Sequence, residues 1–175
     1  MSRHSALDAL TRSLAGDGPA GDARVAESRV YLHPGQLHAS AAPVAITTIL
    51  GSCVGVCLHD PQRRVGGVNH YLLPHWPGEG EHSPRYGDVA LPTLLQKVLE
   101  LGGKRDRLLA RIYGGACVLD AFREDAEHLG ARNAAVAREF LAGERITVID
   151  EDTGGRRGRK LLFHAAFGST LISRI

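Results

Sequence analysis

The stretch at residues 54–73, VGVCLHDPQRRVGGVNHYLL, limits the fold more than any other part of the chain. Val54, Val56 and Leu58 fall on one side of an extended backbone, and Cys53, Gly55, Cys57 and His59 fall on the other. Asp60-Pro61 then supplies the first and second positions of a type I turn, and RVGGVNHYLL returns. The pattern predicts an antiparallel hairpin. With His59 facing Arg64, Cys57 faces Gly66, Gly55 faces Val68 and Cys53 faces His70. A two-residue loop gives the same pairs, whereas a loop of three or five sends His70 to the other face. Directly opposed side chains have Cβ atoms about 5 Å apart, so this register predicts contact between the Cys53 thiol and the His70 imidazole. Gly55 and Gly66 on the same face leave room beside the sulfur for a substrate.

The rest of the chain follows an α+β order. RVYLHPGQLHAS carries a Pro34-Gly35 turn, and VAITTIL is β-branched and apolar. Leu91, Leu94, Leu95, Val98 and Leu99 repeat at helical spacing before Gly102-Gly103. Asn133, Val136, Ala137, Phe140 and Leu141 repeat that spacing, apolar at all but the first position, and stop before Gly143. Between them LLARIYGGACVL predicts a buried strand bent at Gly114-Gly115, and RITVID and RKLLFHAAF predict two strands joined by a Gly- and Arg-rich turn. Strands, helix, strand, helix, strands describe a layered α+β fold with two main helices in a single domain over residues 29–175. Residues 1–28 predict a flexible N-terminal extension, broken by AGDGPAGD, although Leu7, Leu10 and Leu14 would line one side of a short docking helix.

Composition excludes several classes. At 175 residues and 43% hydrophobic content the chain has enough material for one real core. A net charge of +2 gives no case for nucleic acid. No run approaches the ~18 apolar residues of a membrane span, and residues 1–14 lack the apolar centre of a secretory signal. The expectation is a cytoplasmic protein without membrane insertion. The odd cysteine count, Cys53, Cys57 and Cys117, with no Cys-x-x-Cys pair, predicts free thiols.

The chemistry centres on Cys53 and His70. A free thiol, with a pKa of about 8.5, is a weak nucleophile near neutrality. An adjacent imidazole accepts its proton and later protonates a departing amine. Backbone N–H groups of Gly51, Ser52 and Cys53 would stabilise an oxyanion, and Thr47, Thr48 and Asn69 are the nearby groups that would orient the ring. The spacing alone admits a cysteine hydrolase, and more readily a small buried cysteine with an incidental histidine. A zinc site from Cys53, Cys57, His59, His70 and His75 is the sharper rival. Strand residues four apart are roughly 13 Å apart, too far for bonds of about 2.3 Å to one metal.

TTILGSCVGVCLHDPQRRVGGVNHYLLP resembles the signature of CheD, a bacterial chemoreceptor glutamine deamidase family. The likeness continues through RYGDVALPTLLQKVLELGGKRDRLLARIYGGACVL, LGARNAAVAREFL and TGGRRGRKLLF. The family is similar to the catalytic part of cytotoxic necrotizing factor toxins. The resemblance implies a layered α/β/β sandwich of mixed and antiparallel strands. It also implies hydrolysis of glutamine side-chain amides on methyl-accepting chemoreceptors, without cofactor or metal, in chemotaxis adaptation. The family's cysteine falls on Cys53, its histidine on His70 and its threonine on Thr47, with Thr48 adjacent. A CheC-type phosphatase is an implied partner, and a non-catalytic adaptor binding CheC or receptor helices is the alternative. The ending HAAFGSTLISRI departs from the family's pattern, which puts the last strand in question.

The remaining residues are expected to serve structure. Cys57 and Cys117 are read as packing residues. His75, Trp76 and His82 sit in a Pro- and Gly-rich stretch read as a plain surface loop, with the lip of the site as the alternative. The run 156–160, Arg-Arg-Gly-Arg-Lys, is read as a solvated turn or as a weak docking patch for acidic receptor helices.

Overall fold

The computed structural model describes residues 28–118 and 127–175. The extension expected over residues 1–28 lies outside the described residues, save Ser28. Among the described residues nine strands and two α-helices follow one another: β1 (Ser28–Tyr31), β2 (Leu37–Ser40), β3 (Val44–Leu50), β4 (Val54–Asp60), β5 (Val65–Asn69), α1 (Gly87–Glu100), β6 (Leu109–Gly114), α2 (Leu129–Gly143), β7 (Thr147–Thr153), β8 (Arg159–His164) and β9 (Thr170–Arg174). Five strands form one sheet in the order β2-β5-β4-β6-β7, and four form a second in the order β1-β3-β8-β9. The β1–β3 and β6–β7 pairs are parallel and the others antiparallel.

The two faces of β4 explain the layering. Val54, Val56 and Leu58 pack under Leu91, Leu94 and Val98 of α1 and Ala134, Ala137 and Leu141 of α2. On the reverse, Cys57 joins Val68 and Tyr113 against Ile46, Leu50, Leu161 and Phe163 of the second sheet. With both sides covered, every residue of β4 is buried. The arrangement is the α/β/β sandwich expected, in one domain. No helix among the described residues is long and apolar enough to cross a membrane.

The hairpin forms with a different register. His59 pairs with Gly66, Cys57 with Val68 and Asp60 with Val65. Each partner lies two residues later than expected, because Asp60 is itself the last paired residue and the loop runs over residues 61–64. Asp60 Oδ1 accepts the N–H groups of Gln62 at 2.9 Å and Arg63 at 3.0 Å, an Asx turn, and Arg64 completes the loop at φ 55. A shift of two preserves the faces. Gly55 and Gly66 do not leave open space: a Cβ on Gly55 would lie 3.2 Å from Leu50, and one on Gly66 3.0 Å from Phe163. These glycines let the sheets approach.

The ends of the chain also differ from expectation. β7 and β8 are joined by the Gly- and Arg-rich segment but belong to different sheets. The segment is a crossing between layers, not a hairpin turn. The final residues form β9, paired with β8 from Phe163↔Thr170 to Arg159↔Arg174. Helix α2 runs through Gly143, and the left-handed residue after it is Arg145, at φ 57.

Candidate active site

Strand β3 decides which threonine faces inward. Ile46, Thr48 and Leu50 are buried toward the five-stranded sheet, whereas Ile49 is 45% exposed on the other side and Thr47 is half-buried there. Thr48 Oγ1 lies 2.8 Å from His70 Nδ1 and donates to the Leu32 carbonyl at 2.8 Å. A hydroxyl has one hydrogen. With that hydrogen on Leu32, the hydroxyl accepts from His70, which places the imidazole proton on Nδ1. Thr48, rather than the Thr47 of the resemblance, is the threonine hydrogen-bonded to the His70 ring.

His70 follows β5. Its N–H donates to the Gln36 carbonyl at 2.9 Å, and its carbonyl accepts from Gly35 at 2.7 Å. The ring is buried, and Nε2 has no hydrogen-bond partner among the described residues. Burial chiefly, with the neighbouring His33 adding to it against the Leu32 carbonyl, lowers its pKa to about 4. Near neutrality the ring is uncharged, and Nε2 offers a lone pair.

Cys53 sits in the connection between the sheets and packs, half-buried, against the inter-sheet core. His70 reaches Thr48 across that same space, so thiol and ring share a side of the five-stranded sheet. They are not directly opposed as the sequence register had it. Val54 pairs with Tyr71, which makes Cys53 and His70 diagonal neighbours, with Cβ atoms about 7–8 Å apart in a regular ladder. Burial raises the Cys53 pKa, offset in part by its own backbone N–H. The resting pair is thus a thiol beside a neutral imidazole, not a thiolate–imidazolium pair.

The turn before the cysteine is held through its carbonyls. Gly51 O accepts from Ala116 N–H at 2.8 Å, Cys53 O from Gly115 N–H at 2.8 Å, and Ser52 O from Asn133 Nδ2 at 3.0 Å. The N–H groups of Gly51 and Ser52 have no backbone acceptor among the described residues, and that of Cys53 lies against its own sulfur. Gly114 (φ 107) and Gly115 (φ 64) shape the other wall, where a Cβ on Gly114 would sit 2.2 Å from the Cys53 carbonyl oxygen.

A family model described as CheD chemotactic sensory transduction matches residues 72–174, more than half of the chain. The chain belongs to the CheD family. A probable chemoreceptor glutamine deamidase CheD 1 of Anaeromyxobacter dehalogenans is 48% identical, over 92% of this chain and 91% of that one. A probable chemoreceptor glutamine deamidase CheD of Trichlorobacter lovleyi is 42% identical, over 83% of this chain and 90% of that one. Among solved structures, a Neisseria meningitidis protein described as DUF152 aligns with a TM-score of 0.43 and 11% identity, over 75% of this chain and 65% of that one. That last likeness adds nothing to the assignment.

In this CheD family member several supporting residues escape a local reading. Arg159, placed in a solvated basic cluster by the sequence, is 1% exposed. It donates to Asp152 and the Gly154 carbonyl, each at 2.8 Å, and to the Gly114 and Arg157 carbonyls at 3.3 Å. It thereby braces the glycine bend behind Cys53. His82 stacks edge-on against Trp76, whose backbone N–H donates to Asp88 at 2.9 Å, so the loop after His70 is pinned to the start of α1. Cys57 is buried between the sheets, and burial drives its pKa up. Among the described residues no three His, Cys, Asp or Glu side chains cluster so as to hold a metal ion.

Proposed function

We propose that this protein hydrolyses the side-chain amides of selected glutamines on methyl-accepting chemoreceptors, giving glutamate and ammonia in chemotaxis adaptation. The observation that carries the reading is His70 Nε2, a buried, unpartnered lone pair on the same side of the sheet as Cys53, with the ring held at Nδ1 by Thr48. The names of the curated relatives supply the substrate class.

Cys53 gives its proton to His70 Nε2 as the sulfur attacks the carboxamide carbon. The carbonyl electron pair moves onto oxygen, where N–H groups of the 51–53 turn receive it. The tetrahedral centre collapses, the C–N bond breaks, and His70 returns the proton to the departing ammonia, leaving a thioester. Water then gives a proton to His70 as its oxygen attacks the thioester carbon; the C–S bond breaks, the Cys53 thiolate takes that proton from His70, and the carboxylic acid loses its own proton to solvent as glutamate.

Incubation with a receptor fragment tests the reading. Ammonia should appear together with the mass change of amide-to-acid conversion at glutamine, and Cys53→Ala should abolish both. Ammonia released at the native rate by the alanine variant refutes it. A CheC-type phosphatase belongs to the proposal as a further partner, whose binding Cys53→Ala should leave intact.

A further inference from the structure

Asn133 lies on α2, which carries neither Cys53 nor His70, yet it is wholly buried beside Ala134 and Ala137. A carboxamide in such surroundings is costly unless its polar atoms are paired. Its Nδ2 donates to the Ser52 carbonyl at 3.0 Å and to the Leu72 carbonyl at 2.8 Å, and its backbone carbonyl accepts the Tyr71 hydroxyl at 2.6 Å. Both side-chain partners are carbonyl oxygens, which only accept, so the amide must turn its NH2 group toward them. Oδ1 is then left buried without a partner. A purely packing role would not favour that orphan, and a small apolar residue would avoid it.

The three bonds fall on residue 52, just before the cysteine, and on residues 71 and 72, just after the histidine. We propose that Asn133 is a positioning residue: its two-pronged amide fixes the spacing between Cys53 and His70 by tying together the turn of one and the strand exit of the other. The inference rests on reading Cys53 and His70 as nucleophile and base. It requires a donor at position 133. A carboxylate there would set oxygen against two carbonyl oxygens and open the bracket.

The test is a double-mutant cycle read on the thiol alone. The rate of Cys53 carbamidomethylation by iodoacetamide is followed by peptide mass spectrometry across pH in the wild type, Asn133→Asp, His70→Gln and the double variant. His70→Gln should slow the reaction near neutrality. Asn133→Asp should slow it roughly tenfold or more, as expected for misplacement of ~1 Å. In the His70→Gln background the Asp substitution should add nothing further. Losses that multiply, or wild-type alkylation in Asn133→Asp, overturn the proposal. Should Asn133→Asp fail to melt cooperatively, Asn133→Ala, which has no side-chain donor, takes its place in the same cycle with the same criterion. Deamidation is measured alongside: kcat should fall roughly 10–100-fold with KM for the receptor unchanged, because Asn133 is buried away from substrate. Wild-type protein that releases no ammonia would count against the deamidase reading alone, since the alkylation cycle needs no glutamine.

Discussion

Replacing Thr48 by valine isolates the orientation of the imidazole. Valine matches threonine in shape, so the substitution opens no cavity at a wholly buried position. It deletes two bonds of 2.8 Å, to His70 Nδ1 and to the Leu32 carbonyl. Left apart, two orphaned polar groups would cost about 1–3 kcal/mol each. They need not stay apart, because the Leu32 carbonyl already acts on the His70 ring. A tilt of the imidazole pairs the two and limits the stability loss to about 1 kcal/mol. That same tilt swings Nε2 away from the thiol. Thr48→Val should therefore lower kcat/KM on a receptor fragment by roughly 10–100-fold, about 1.4–2.7 kcal/mol of barrier, while the melting temperature moves little. Thr48→Ser should restore most of the rate, and Thr47→Val, on the outer face of β3, should leave it near native. Ammonia release gives the rates and a thermal melt gives the stability. A native rate in Thr48→Val, or an equal loss in Thr47→Val, refutes the assignment of the orienting role to Thr48.

Four further outcomes follow from the same geometry. The active imidazole is the neutral one, with a pKa lowered from 6.5 to about 4, so the acid limb of kcat/KM should lie well below pH 6.5. The unfolded chain takes up that proton first as pH falls, so stability in urea should decline between pH 6.5 and 4, by at most about 3 kcal/mol, and His70→Gln should flatten the slope. Arg159→Met takes the Arg159 donor from the Gly154 carbonyl and from Asp152, while the Gly114 carbonyl keeps the Gly154 N–H, and should cost about 3 kcal/mol, lowering Tm by roughly 6–12 °C in calorimetry. Gly114→Ala drives a Cβ to 2.2 Å from the Cys53 carbonyl oxygen and should impair ammonia release well beyond Gly102→Ala, whose φ of +100 is similar but whose surroundings are empty within 4 Å.

What the sequence reveals and what it conceals divide along the range of the forces. The helices were legible because apolar spacing is a local record of burial: Leu91, Leu94 and Val98 face the sheet as their spacing predicts. The shared face of Cys53 and His70 was legible through alternation, which survives a register shift of two. The shift itself was not, since it turns on whether the Asp60 carboxylate binds Gln62 and Arg63 or leaves them to the turn. The choice of Thr48 over Thr47 was hidden too. VAITTIL holds apolar residues and a threonine in both frames, and only the second sheet decides which frame is covered. Asn133 left a trace, as the single polar member of an otherwise apolar helix face. Arg159 left none, because its partners at 114 and 152 are brought to it by a crossing between layers that no local pattern announces.

The orienting hydroxyl belongs to one sheet, the ring to the exit of the other, and the sulfur to the link between them. Neither layer owns the proposed reaction centre. Any sliding of one layer over the other would detune the chemistry long before it unfolded the chain, so turnover in this protein doubles as a gauge of how its two halves are seated.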